Sequence, residues 1–156
     1  MRIINVYTDG SFDKISDKGA WGTIICYDDQ EIILADIVSG TTHNRMELQA
    51  VIQSLRYIID YQLNASIIRI YTDSQYVSGL LAKRQRLENK NFTNRKGKIL
   101  PNADLLQEFY TTIDQLNTKV ELIKVKAHMK KDEAEYPYNR KIDMYVRKMV
   151  RGSKLH

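Results

Sequence analysis

Two runs of strand character, "IINVYTDGS" at residues 3 to 11 and "IIRIYTDSQ" at residues 67 to 75, both stop on Tyr-Thr-Asp. Their β-branched and aromatic residues favour extended backbone, so each is predicted to be an apolar strand that ends on a carboxylate. If the two strands lie side by side, Asp9 and Asp73 stand a few ångströms apart. Like charges held that close repel and shift each other's pKa unless something positive neutralises them. A divalent cation does so, and oxygen-only ligands with no Cys or His beside them suit Mg²⁺ or Mn²⁺ better than Zn²⁺. Taken singly, each Asp has a plainer reading as a turn or helix cap.

The remaining pattern limits how such strands can be joined. Residues 3 to 8, 21 to 27 and 31 to 38 are β-rich, and "DDQ" between the last two is a polar turn of hairpin length, so the three form an antiparallel meander. From Asn44 the period changes. Leu48, Val51, Ile52, Leu55, Ile58, Ile59 and Leu63 recur at three and four residues, the stripe of a core-facing helix. Asn44 is the expected cap, with Glu47 three residues on as in a capping box. A strand at 67 to 71, a short helix from about 74 to 81, a basic segment, a helix from 102 or 103, a strand at 120 to 126 and a last helix from about 139 to 150 complete the order. The result is an α/β fold with a five-stranded mixed sheet. Its first three strands are antiparallel, the later ones enter through helical crossovers and are parallel, and helices cover both faces. Ligands of such sheets gather outside strand ends near a topological switch.

A chain of 156 residues fits one domain, 1 to 156. Its 43% apolar and 28% charged residues exclude a disordered or membrane-embedded chain, and no apolar stretch approaches the roughly 20 residues of a membrane span. With a single cysteine, Cys26, no intrachain disulfide can form. A cytoplasmic, reducing setting is expected, with Cys26 as a small buried apolar group. The net charge of +5 is concentrated: seven cations fall between Lys83 and Lys98 against the single acid Glu88. The basic character therefore reads as local, and a polyanion such as nucleic acid is the natural partner of that patch, with an anionic membrane surface or plain solvation as the alternatives.

Four separated elements then occur in a telling order. "YTDGS" at Tyr7, "NRMELQA" at Asn44, "YTDSQYV" at Tyr71 and a late Asp in "YNRKID" resemble the bacterial-type ribonuclease H family, type 1, over nearly the whole chain, and "GKILPNADLL" resembles the segment leaving that family's basic protrusion. The resemblance implies the ribonuclease H-like fold with a protrusion at about 82 to 100. It also implies an endonuclease that hydrolyses the RNA strand of an RNA-DNA hybrid, using two Mg²⁺ ions for which Mn²⁺ can substitute, and leaves 5′-phosphate and 3′-hydroxyl ends. Carried over by position, Asp9 would bridge both ions, Glu47 and Asp73 complete one site, and Asp143 the other. His128 would assist proton transfer or product departure from a loop.

The same resemblance assigns substrate contacts. Asn44 and Gln75 would reach the minor groove, where a 2′-hydroxyl tells RNA from DNA, and Thr42 and Asn102 would grip a phosphate of the DNA strand. Gly10 and Ser11 would lie against the substrate. Lys83, Arg84, Arg86, Lys96 and Lys98 would hold the duplex electrostatically, with Phe92 packed beneath them. His43 stands where the family often has an amide, so its minor-groove contact is open, and Arg140 stands where an acid commonly follows the Asn. A hybrid duplex is the implied partner and a monomer the expected state. A hybrid-binding module without catalysis and another nuclease of the superfamily, such as a junction resolvase, remain as alternatives.

Overall fold

The computed structural model describes residues 2–126, 130–131 and 133–154. Three strands come first: β1 (Ile3–Asp13), β2 (Lys18–Tyr27) and β3 (Gln30–Ser39). Asp28 and Asp29 form the two-residue link between β2 and β3, both at positive φ (49° and 60°), the conformation that matches the twist of a hairpin. Helix α1 (His43–Asp60), strand β4 (Ile67–Thr72), helices α2 (Gln75–Ser78), α3 (Leu80–Asn89) and α4 (Ala103–Asp114), strand β5 (Lys119–Lys124) and helix α5 (Tyr136–Lys154) follow. The sheet order is β3-β2-β1-β4-β5. β1 to β3 pair antiparallel, while β4 pairs parallel with both β1 and β5. The predicted mixed sheet is therefore the observed one, with β1 at its centre.

Alternation along the strands sends their two faces to different helices. Ile4, Val6, Ile25, Ile68 and Ile70 join Leu48, Val51, Leu55, Leu106 and Phe109 in the main core, so α1 to α4 cover one face. Tyr7 and Ile24 pack on Ile142, and Ala20 on Val146 and Val150, so α5 covers the other. Among the described residues no helix is long and apolar enough to cross a membrane.

Several local expectations are corrected. Asp9 does not end its strand: β1 runs on to Asp13 because it stays paired with β2, Asp9 opposite Gly22 and Asp13 opposite Lys18. Only the β1–β4 ladder stops, at Tyr7 opposite Tyr71. Thr42, not Asn44, caps α1, its hydroxyl accepting from the Arg45 N–H at 3.2 Å, and Glu47 is buried in the second turn instead of closing a capping box. The helix expected at 74 to 81 is two helices meeting at Gly79, and the second, α3, takes in the start of the basic segment. α5 begins a turn earlier than expected, at Tyr136. Cys26 is only half-buried. Phe92 packs against the core with its ring 6.2 Å from that of Tyr110.

Candidate active site

Asp9 is fixed by the centre of the sheet. Two glycines let helices reach it. A Cβ on Gly10 would stand 2.7 Å from the Glu47 backbone nitrogen and 2.8 Å from the Met46 carbonyl carbon, so only a bare residue lets α1 lie this close to β1 and bring Glu47 alongside Asp9. Gly22, directly across from Asp9, faces the other way. A Cβ there would meet Val146 Cγ1 at 2.6 Å and Ile142 Cδ1 at 2.7 Å, so its absence lets α5 settle at the level of Asp9 and carry in Asp143. The fourth acid, Asp73, follows the last residue of β4.

Carboxylate oxygens of Asp9, Glu47 and Asp73 all lie within 4.8 Å of one another. Asp9 is 6% and Glu47 1% exposed, which removes the water that would otherwise screen them. Burial, reinforced by the charges of Glu47, Asp73 and Asp143, pushes the Asp9 carboxyl up to about 10. Burial also raises Glu47, against the hydrogen bond from His43, and raises Asp73. His43 Nε2 lies 3.1 Å from Glu47 Oε1, and this hydrogen bond raises the His43 pKa in turn. The other Glu47 oxygen, Oε2, is buried without a hydrogen-bond partner. An orphaned carboxylate oxygen inside a trio of acids is a strong unmet demand for a cation.

Asp143 lines the same hollow, of about 280 Å³, together with Asp9, Glu47, Asp73, His43 and Arg147. It is not one of the tight trio. Arg147, one turn on, holds its carboxylate at 2.9 Å. Beneath the acids, Tyr7 stacks between Tyr71 and Tyr138 with centroid distances of 5.0 and 4.6 Å. Residues two apart in a strand share a face, so the tyrosines of both Tyr-Thr-Asp runs lie on the α5 side and tie its first turn to the sheet.

Residues 1–151 match the family model described as RNase H. A Ribonuclease H of Chlorobium phaeobacteroides is 29% identical over 153 residues, covering 97% of each chain. One of Parvibaculum lavamentivorans is 31% identical over 146 residues, covering 93% of this chain and 90% of its own. The chain belongs to the RNase H family. Membership makes it a nuclease, a hydrolase acting on nucleic acid. The structure titled as the foamy viral protease-reverse transcriptase in complex with dsDNA superposes with a TM-score of 0.75 at 16% identity, over 93% of this chain and 92% of that one, and so shares the fold. Divalent-metal dependence belongs to the RNase H family, and the trio offers the acidic group for it.

The residues expected around an RNase H site are spread along one end of the molecule. Gly10 and Ser11 line the acid hollow, although the close approach that Gly10 demonstrably serves is that of α1. Thr42 and Asn44 are exposed in the cap and first turn of α1, and Gln75 is exposed at the start of α2. Asn102 precedes α4 at φ +69° and makes no cap hydrogen bond. Its amide instead accepts from Arg45 at 3.3 Å and donates to the Tyr76 hydroxyl at 3.4 Å. Lys83, Arg86, Lys96 and Lys98 are exposed, whereas Arg84 is taken up by Asp114 at 2.6 Å and Glu88 at 2.7 Å. His128 lies outside the described residues.

Sequence reasoning missed Arg147 and Gly22, and it weighed His43 only as a minor-groove contact and not as the partner of Glu47. His43 and Arg147 each stand four residues from an acid of the site, a helical spacing readable in advance. Gly22 had no such signal, since its role exists only in the register that sets it across from Asp9.

Proposed function

We propose that this chain is an endonuclease that hydrolyses the RNA strand of RNA-DNA hybrids with two divalent cations, leaving 5′-phosphate and 3′-hydroxyl ends. The observation that carries the reading is the orphaned Glu47 Oε2 within the buried trio of Asp9, Glu47 and Asp73. Hard oxygen donors of this kind fit Mg²⁺ or Mn²⁺. Asp9 would be shared by both ions, Glu47 and Asp73 would serve one, and Asp143 the other. Bound there, the ions supply Lewis acidity toward a phosphate and lower the pKa of water.

The chain's own groups do the rest. Sheet and helices hold the acids converged before substrate arrives, so little reorganisation is left for the reaction. Thr42 Oγ1 accepts from Arg45, which leaves its O–H to donate to a phosphate of the DNA strand beside the α1 N-terminus. Asn102 keeps one amide N–H for the same phosphate, because Arg45 and Tyr76 fix the rest of its side chain. Asn44 and Gln75 read the minor groove. Lys83, Arg86, Lys96 and Lys98 hold the duplex, while Arg84 braces α3 against α4. His128 assists the departing product.

The test is cleavage of end-labelled substrates with Mg²⁺. The RNA of a hybrid is cut, and single-stranded RNA and both homoduplexes are spared. Indifference to strand type sinks the reading, a preference for four-way junctions points to a resolvase, and tight hybrid binding without cutting in Mn²⁺ points to a binding module.

A further inference from the structure

The cations are not confined to residues 83 to 98. Between Tyr136 and Lys154 the sequence has Arg140, Lys141, Arg147, Lys148, Arg151 and Lys154 against the single acid Asp143, so α5 is a second basic element on the opposite face of the sheet from α3. Lys141 is paired with Glu31, and Arg140 donates to the Tyr136 hydroxyl. Arg147, Lys148 and Arg151 are exposed.

Two of these stand in a particular place. Because β1 runs four residues beyond Asp9, it forms a wall past the acids, and α5 runs alongside it. Between them lies a second hollow of about 260 Å³, lined by Ser11, Phe12, Asp13, Arg147, Val150 and Arg151. It shares Ser11, Phe12 and Arg147 with the carboxylate hollow, so the two adjoin, offering a channel past the acids. Arg147 and Arg151 are one helical turn apart, a rise of about 6 Å, so their guanidinium groups can meet different phosphates of one strand. Among the described residues the carboxylate in the outer part is that of Asp13, which accepts from Ser16 N at 2.9 Å and Ser16 Oγ at 2.6 Å.

We propose that Arg147 and Arg151 form a phosphate track for the scissile RNA strand, leading from the acids along β1 and α5. This rests on the reading of the chain as a hybrid-directed nuclease. A strand with one phosphate on the acids has its neighbours in this channel, whereas α3, on the other face, meets the complementary strand. Arg147 is held by Asp143 at 2.9 Å; with that carboxylate engaged in holding a cation, its guanidinium would be free to face the strand, and Arg151 is exposed beside it.

The test is hybrid binding over a salt series in an Asp9→Asn background, which prevents cutting. Arg151→Gln lowers affinity severalfold and reduces the slope of log K against log salt by about 0.9, the value of one phosphate contact, and Arg151→Lys restores both. A single methylphosphonate on the RNA strand within about two nucleotides of the cut weakens binding of the chain with Arg151 but not of Arg151→Gln. An unchanged slope in Arg151→Gln, or coupling to a DNA-strand phosphate, overturns the track. If the chain with Asp9 intact cuts hybrids, such a result leaves the nuclease reading standing. If it does not cut them, that reading fails on its own.

Discussion

Glu47 and Asp143 reach the same hollow from opposite faces of the sheet, and the fold treats them differently. Glu47 is 1% exposed on the buried face of α1, with one oxygen on His43 and the other without a hydrogen-bond partner among the described residues. The Asp143 side chain is 41% exposed and tied to a still more exposed arginine, Arg147. One acid is held by the core, where it cannot move without disturbing α1. The other rides on a surface helix and already has a positive partner. The site is thus half preformed, with a rigid acidic trio and, on the proposed reading, a fourth ligand that would have to be drawn away from Arg147.

Asp9 belongs to both halves, and its replacement has the largest expected effect. Asp9→Asn lowers hybrid cleavage by roughly 10³-fold or more, the scale seen when a group that stabilises transition-state charge is lost. The same change stabilises the metal-free protein. Burial and the neighbouring acids hold the folded-state pKa of Asp9 far above the 3.8 of the unfolded chain. The folded state therefore binds more protons between these values, and metal-free stability falls as pH rises through that window. Thermal melting in a chelator checks this: Asp9→Asn melts higher than the parent chain at neutral pH and changes less between about pH 5 and 8. Equal pH slopes in the two proteins refute the assignment.

The two glycines separate the halves. In Gly10→Ala the new methyl meets the backbone of α1, which cannot yield, and destabilisation at or above the usual 1–3 kcal/mol for overpacking, roughly, is expected, with activity lost at every metal concentration. In Gly22→Ala it meets the ends of Val146 and Ile142, so α5 lifts. Urea titration then gives a smaller loss, about 1 kcal/mol, and the Mg²⁺ requirement rises while the saturated rate recovers. Identical behaviour of the two variants would erase the distinction between core-held and surface-held acid.

Metal binding measured directly sharpens the same contrast. Calorimetric titration of Asp143→Asn with Mg²⁺ or Mn²⁺ keeps a first event near that of the unsubstituted chain and loses a second, weaker one. Glu47→Gln weakens the first event by about tenfold or more, in the range for disturbing a metal's ligand environment. A reversed order places the tighter ion on the α5 side and overturns the comparison.

The order of elements and the mixed sheet were legible because strand and helix periods are written in local residue patterns; Asp9 and Asp73 stood out at the ends of two matching Tyr-Thr-Asp runs, and Glu47 through the motif that carries the family resemblance. What stayed hidden was set by pairing across the chain. That Asp9 lies inside a strand depends on β2 continuing beside it to Lys18. That Thr42 caps α1 depends on where the backbone turns, and both Thr42 and Asn44 are acceptable caps by residue type. The withdrawal of Arg84 from the basic surface depends on Asp114, thirty residues away. The second basic element escaped because charge was summed along the sequence: the acids elsewhere in the chain cancel α5 in the total but not on its face.

The smallest expected effect lies where the two halves are joined. Tyr138 stacks on Tyr7 at 4.6 Å with an interplanar angle of 13°, and it is the first-turn anchor of α5 on the strand that carries Asp9. Tyr138→Ala removes a stack worth about 0.5–1.5 kcal/mol beyond its buried area, whereas Tyr138→Phe retains the ring and loses only the hydroxyl that meets Cys26. Melting should therefore fall by a few degrees in the alanine variant and hardly at all in the phenylalanine one. Because Tyr7 and Tyr71 remain stacked beneath the trio, the first metal event is unchanged in both, and only the second weakens, in Tyr138→Ala. Loss of the first event in that variant would mean that α5 supports the trio as well, and that the core-held half is less independent than the burial of Glu47 implies.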